Sequence, residues 1–428
     1  MNELKEIVIG FLGCGNVGGG VWRLLENMRE EIARRDGLSI RVKKVLVRSV
    51  KKVRDCGIPQ GLLTDNPDDV LADPEITMVA EFMGGEHPAA DYLIRALENG
   101  KTVVTANKVA LALNWPKLQA AAEKTGAGLY YEASVCGAIP VIGALRGSLE
   151  SNRISNVMGI INGTTNYILT RMSEQGEDYA AVLADAQRLG LAEPDPTSDV
   201  EGFDAAYKLS IMASLAFHTR VPFEKVFHEG ITGITAIDIA CGREMGYVLK
   251  LLAIGKRSGD VVEVRVHPTF LPKDHPLSMV GGSFNAVYLK GHACKEMMLQ
   301  GRGAGDLPTA SAVVGDILEA ALTDKHRMPT FSNTEETDSA LTFTDNWTTR
   351  YFIRLSAVDE PGVLASVAGC FADAGVSIAT MMQKGRSDDG RVPLIFITHP
   401  AEEKAMQAAL RKLDPAICHP ENVIRVEE

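Results

Sequence analysis

The stretch "EIVIGFLGCGNVGGGVWRLLENM", residues 6–28, runs from an apolar segment through a glycine-rich turn into an amphipathic pattern. Residues 6–12 read as a buried strand, and Gly13, Gly15 and Gly18 fit G-x-G-x-x-G. Val17, Val21, Leu24 and Leu25 then recur at helical spacing. Such glycines serve a tight turn, close approach of a pyrophosphate to the backbone, and close helix–strand packing. The phosphates then rest on the helix N-terminus. In this strand–turn–helix setting the pattern predicts a dinucleotide-binding domain. A glycine turn with no ligand is the plainer alternative.

The next strand, "IRVKKVLV" at 40–47, runs into Arg48, with Lys51 and Lys52 close behind. A carboxylate at that point would accept from the ribose 2′-hydroxyl of NAD, whereas a cation suits the 2′-phosphate of NADP. NADP is the expected cofactor, with NAD as the alternative; ordinary surface cations are the bland reading. Strand and helix patterns keep alternating: "ITMVAEFM" (76–83), "PAADYLIRALEN" (88–99) with Gly100 behind it, "KTVVTA" (101–106), a helix at "WPKLQAAAEKTG" (115–126) and a strand at "AGLYYEA" (127–133). The order predicts a doubly wound parallel sheet of Rossmann type. Ligands of such sheets lie beyond the carboxyl ends of the strands, so "TANK" (105–108) brings Lys108 to the place of nicotinamide or substrate.

The chain has 428 residues, 46% hydrophobic and 23% charged, with a net charge of −11. That is a globular composition of several domains, without a basic face for nucleic acid. No apolar run approaches the roughly 18–20 residues of a membrane span. The beginning, "MNELKEIVIG", lacks signal-peptide architecture, and the seven cysteines are odd in number without close pairs in sequence. A reducing, cytoplasmic setting is expected.

Past "YYEASVCGAIPVI" the alternation breaks. "RISNVMGIINGTTNYILTRM" (153–172) reads as a strand, a turn at Asn162–Gly163, and a helix capped by Thr164 or Thr165. In "AEPDPTSDVEGFDAAYKL" (192–209), Ser198 and Glu201 form a capping-box pattern, and Asp204 and Lys208 share a helical face. For Asp195, Asp199 and Glu201, placement at a helix start is the preferred reading. Strands are expected at 261–271, 285–291 and 296–301. A glycine loop then leads into a helix with Pro308 in its first turn. This is a second, mixed α+β domain.

"GFLGCGNVG", "TANK", "YEASVCGAIP", "GIINGTTNYIL", "AEPDPTSDVEGFDAAYKL" and "GRGAGDLPTASAVVGD", in this order, resemble the homoserine dehydrogenase family in its long bacterial form. The resemblance implies NAD(P)H-dependent, reversible reduction of L-aspartate 4-semialdehyde to L-homoserine. It implies that Glu193 and Asp204 hold the substrate's ammonium group and that Lys208 protonates the carbonyl oxygen. Lys108 would touch both cofactor and substrate, and Asn16, Val17 and Gly305 would contact the cofactor. Glu132, Val135, Gly137 and Ile139 match a sodium site made mainly of main-chain carbonyls. Cys136 departs from the glycine common in relatives. The chemistry is coherent, because a fixed ammonium needs a buried anion and a forming alkoxide needs a general acid.

Residues 323–349 are polar and aperiodic, as a linker would be. From Arg350 a βαββαβ order follows and resembles an ACT domain, with "DEPGVL" (Asp359, Pro361, Gly362, Val363, Leu364) as its ligand loop. The expected organisation is a Rossmann domain at 1–131, to which the helix at 307–322 returns. A substrate-binding and dimerisation domain at 132–306, a linker at 323–349 and a regulatory domain at 350–428 follow. The resemblance further implies L-threonine as effector and a homodimer or homotetramer. A chain ending near Asn346 is expected to stay active but lose the inhibition. An ACT segment serving assembly alone, a non-catalytic amino-acid sensor, and a dehydrogenase of another amino-aldehyde are the competing readings.

Overall fold

The computed structural model describes residues 4–323, 331, 336–383, 385 and 390–427. It opens with β1 (Lys5–Leu12), α1 (Asn16–Asp36), β2 (Leu38–Leu46), β3 (Leu63–Thr64), α2 (Asp68–Leu71), β4 (Met78–Glu81), α3 (Ala89–Glu98), β5 (Thr102–Thr105), α4 (Lys108–Thr125) and β6 (Leu129–Tyr130). These strands form one parallel sheet in the order β3-β2-β1-β4-β5-β6. The order reverses between β1 and β4, which opens a crevice beyond their carboxyl ends.

The helix expected at Trp115 starts earlier, at Lys108, because the Asn107 side chain accepts from the Ala110 amide at 3.0 Å and caps it. Pro116 therefore lies inside the helix. A proline there cannot donate to the carbonyl of residue 112. The Arg220 guanidinium donates to Ala112 O at 2.6 Å instead, so the orphaned acceptor is satisfied.

The chain continues through α5 (Val141–Arg146), β7 (Ile154–Ile160), α6 (Gly163–Gln175), α7 (Tyr179–Arg188), α8 (Thr197–Val200), α9 (Phe203–Phe217), β8 (Phe227–His228), α10 (Ala236–Glu244), β9 (Tyr247–Ser258), β10 (Val261–Pro272), β11 (Phe284–Gly291), β12 (Lys295–Arg302) and α11 (Asp306–Leu322). α11 packs into the first sheet's core, where Ala310, Val313 and Ile317 join Ile9, Phe11, Val21 and Leu25. The approach needs Gly20, since a Cβ there would come 2.8 Å from Asp306 O.

By compactness the chain divides into two units, residues 1–157, 207–226 and 285–341, and residues 158–206, 227–284 and 342–428. Parts of the expected linker, 324–330 and 332–335, lie outside the described residues. The rest is bonded: Thr337 Oγ1 donates to Arg220 O at 2.9 Å and Asp338 N to Thr219 Oγ1 at 3.0 Å.

The last segment comprises β13 (Thr342–Phe343), β14 (Thr348–Val358), α12 (Val363–Ala372), β15 (Ile378–Gln383), β16 (Arg391–Thr398), β17 (Ala401–Glu402), α13 (Glu403–Arg411) and β18 (Cys418–Val426). β14, α12, β15, β16, α13 and β18 make the βαββαβ module, around a core that includes Tyr351, Leu355, Phe371, Phe396 and Met406. Within the second unit the sheet runs β9-β10-β18-β14-β16-β15, because β18 pairs in parallel with β10 through Thr269–Arg425 and Phe270–Val426. The fully buried Arg265 of β10 is paired with Glu427, which also takes Lys256 at 2.6 Å. Cutting the chain near Asn346 would strip Arg265 of that partner. Breaking a buried pair costs about 3–5 kcal/mol. The module is thus built into the sheet of the second unit through β18.

Candidate active site

The three glycines of the first turn answer to different constraints. Gly13 has φ +98°, and a Cβ on it would lie 3.1 Å from Phe82 O. One on Gly18 would lie 2.9 Å from Gly13 O. Gly15 faces open space and precedes α1, whose first turn, opening with Asn16 and Val17, holds no acidic residue. The glycine turn and Asn16 line a cleft of about 1060 Å³ together with 46–49, 52–56 and Phe82–Gly84. That is the setting in which a helix N-terminus accepts phosphate.

Arg48, exposed and just past β2, lines this cleft together with Lys52 and Arg54. The Arg54 guanidinium folds the loop by donating to Lys52 O at 2.8 Å and Ser49 O at 3.1 Å. Arg23 and Asp306 pair across the rim at 2.6 Å. The sequence reading found Arg48 but neither Arg54, which no motif marks, nor this pair, which joins residues 283 apart in sequence. Gly305, with φ +119°, precedes α11 and accepts from the Thr309 amide at 3.3 Å.

At the ends of β4 and β5 a buried network supports Lys108. Glu81 is fully buried and accepts from Thr105 Oγ1 at 2.6 Å, from Met83 N at 2.5 Å and from Asn107 Nδ2 at 3.4 Å. Burial pushes its carboxyl up, and those donors pull it back. Asn107, so held, caps α4 and places half-buried Lys108 in its first turn. Glu81 was missed because a glutamate closing an apolar strand carries no motif.

Glu132 opens a tight turn in the same unit. Its carboxylate accepts from Ile142 N at 2.9 Å and Gly143 N at 2.6 Å, yet burial pushes it up to about 7. Asp316 accepts from the Glu132 amide at 2.9 Å and is itself raised by burial and by Glu132. Val135 and Ile139 are buried in this turn, and the Ile139 amide donates to Cys136 O at 3.0 Å. Cys136 and Gly137 have φ +58° and +53°. Glycine takes that conformation freely; cysteine there costs roughly 1–2 kcal/mol. Half-buried Glu132 and buried Asp316 give this turn an anionic lining, the kind of oxygen donor a hard cation takes.

In the second unit Asn162 organises the carboxylates. Its amide donates to Asp199 Oδ1 at 2.7 Å and to the buried Asp204 Oδ2 at 2.9 Å, while its Oδ1 accepts from the Thr165 amide. Asn162, and not Thr164 or Thr165, is therefore the cap of α6. The expected capping box at Ser198 and Glu201 does not form either. Asp195 accepts from Thr197 N and Oγ1 at the start of α8, Glu201 follows its end, and Gly202, with φ +85°, leads into a separate α9. Pro196 sits just before α8, which leaves Ser198 inside the helix and away from the cap position. α9 carries Asp204 in its first turn; half-buried Lys208, four residues on along the same helix, is counted in the first unit. Glu193 is exposed, and its carbonyl accepts from Gln187. In the C-terminal module, Asp359 and Pro361 lie in the exposed β14–α12 loop, with Gly362 (φ +93°) before α12 and Val363 and Leu364 in its first turn.

Three family models match: "Homoserine dehydrogenase, NAD binding domain" over residues 13–132, "Homoserine dehydrogenase" over 140–318 and "ACT domain" over 351–415. The homoserine dehydrogenase of Corynebacterium glutamicum is 43% identical over 99% of this chain and 96% of its own length. The crystal structure of a homoserine dehydrogenase from Thiobacillus denitrificans is 41% identical, with a TM-score of 0.93 over 100% of both chains. A hyperthermophilic archaeal homoserine dehydrogenase solved in complex with NADPH is 27% identical, with a TM-score of 0.64, and covers 75% of this chain and 100% of that one.

Proposed function

Since the chain belongs to the homoserine dehydrogenase family, and is an oxidoreductase with an NAD(P)-binding domain, we propose that it interconverts L-aspartate 4-semialdehyde and L-homoserine. The observation carrying this reading is the buried Asp204 carboxylate, held by Asn162 one helical turn before Lys208. The bound dinucleotide supplies the hydride. Asp204 and Glu193 hold the ammonium group of the substrate. Lys208 delivers a proton to the carbonyl oxygen, and Lys108 orients substrate and cofactor from the start of α4. The test is NADPH oxidation with aspartate semialdehyde beside a panel of other aldehydes; turnover of another amino-aldehyde in its place would reject the assignment. The proposed setting is the cytoplasm, and the proposed assembly a homodimer or homotetramer. Among the described residues no helix is long and apolar enough to cross a membrane.

NADP is the proposed preference, supported by Arg48, Lys52 and Arg54 on the cleft wall. Arg48→Ala is expected to weaken NADPH binding by roughly 10-fold or more, as loss of a charge-assisted bond does, and to leave NADH binding nearly unchanged. Fluorescence titration with both cofactors decides it, and equal weakening rejects the role.

Glu132, Val135, Gly137 and Ile139 would hold sodium and stiffen the turn. Burial raises the folded pKa of Glu132 above its ordinary value, so this group's stabilisation is full below about 4.5 and lost as pH rises through about 7. Sodium on the carboxylate is expected to offset that loss. Melting temperatures from pH 5 to 8 should fall less in sodium chloride than in potassium chloride, and identical curves would reject the site.

L-threonine is the proposed effector of the ACT module, through Asp359 and its neighbours. An effector acts only by binding one conformation or assembly better than another. Because β18 belongs to the sheet of the second unit, the apt test is Asp359→Ala in the full chain. Threonine inhibition is expected to fade while turnover without threonine stays the same. Undiminished inhibition would place the sensor elsewhere.

A further inference from the structure

Cys14 and Cys56 stand 42 residues apart in sequence, yet their Sγ atoms are 3.9 Å apart on the wall of the nucleotide cleft. Cys14 is the residue between Gly13 and Gly15, in the turn that a pyrophosphate must approach. Cys56 lies on the facing loop, just past Lys52 and Arg54, and its Cβ is 3.1 Å from where a Cβ on Gly19 would stand. We propose that this pair is an oxidation site, at which a hydroperoxide converts the two thiols to a disulfide that closes the cleft to nucleotide.

Geometry favours the pair. A disulfide needs its sulfurs about 2.05 Å apart, so a loop movement of a few ångströms suffices. The loop can supply it: residues 51–53 are exposed, and Gly57, with φ +77° and open space around it, adjoins Cys56. Cys136, Cys241 and Cys418 are buried. Burial, with Cys56 beside it, pushes the Cys14 thiol up to about 12, while Cys56 stands between exposed Asp55 and Gly57.

In the first step Cys56 sulfur attacks the hydroperoxide. The O–O bond breaks, sulfur is oxidised to the sulfenic acid, and the departing alkoxide leaves as the alcohol with the thiol proton. Cys14 sulfur then attacks the sulfenic sulfur. An S–S bond forms, the S–O bond breaks, and hydroxide takes the Cys14 proton and leaves as water. The new bond ties the glycine turn to the loop bearing the cations, across the space the dinucleotide needs. A dithiol reverses it by exchange.

The experiment uses the full chain, reduced and then treated with hydrogen peroxide in the absence and presence of NADPH. Non-reducing peptide mapping should find a Cys14–Cys56 cross-link that forms without NADPH and is suppressed with it. The Kd for NADPH, by fluorescence titration, should rise at least 10-fold on oxidation and return with dithiothreitol. In Cys56→Ser and Cys14→Ser, the ratio of oxidised to reduced Kd should stay near one. The proposal is overturned if peroxide gives no such cross-link in the wild-type chain, if the cross-link leaves the NADPH Kd unchanged, or if the serine variants lose binding to the same extent.

Discussion

Replacing Lys208 with alanine is expected to lower kcat for aspartate semialdehyde by roughly 10²-fold or more, since a positioned general acid contributes about 10²–10⁴. Lys208 sits half-buried on α9, four residues past Asp204. NADPH affinity should be nearly intact, because the residues lining the cleft belong to other segments. Lys208→Arg should also be poor, as a guanidinium keeps its proton at any working pH. Steady-state kinetics with a parallel fluorescence titration separates chemistry from binding. Near wild-type turnover in Lys208→Ala would remove this lysine from the mechanism.

Asp204→Asn tests the substrate anchor. The amide keeps shape and an oxygen for Asn162, whose donation to Asp204 at 2.9 Å should persist, so the fold is preserved and only the charge is lost. A charge-assisted hydrogen bond contributes about 1.5–3 kcal/mol. The expected fall in kcat/KM for homoserine is therefore roughly 10- to 150-fold, with the NADP dissociation constant unchanged. Homoserine kinetics identical to wild type would mean that the ammonium is held elsewhere, with Asp199 and exposed Glu193 the next residues to test.

The parts legible in sequence were those whose cause is local. The glycine turn declares itself because at Gly13 and Gly18 the neighbouring backbone leaves a side chain little or no room at that very position. The ends of α4 and α6 were misread because the deciding atoms, Asn107 Oδ1 and Asn162 Oδ1, compete with nearby threonines, lysines and prolines that look equally apt. The carboxylate-rich stretch at 192–209 suggested one capped helix, and Gly202 divides it into two.

Sequence by itself determined the doubly wound sheet, the dinucleotide turn, the βαββαβ module and the family, since periodicity and short motifs are properties of neighbouring residues. Tertiary structure alone decided the rest: the Arg220 guanidinium on the carbonyl orphaned by Pro116, the pairing of β18 with β10 and Arg265 with Glu427, the Asn162 bridge between Asp199 and Asp204, and the facing thiols of Cys14 and Cys56. Each of these joins residues far apart in the chain. A buried polar or charged group takes whichever partner the packing brings within about 3 Å, and no local pattern records which one that is.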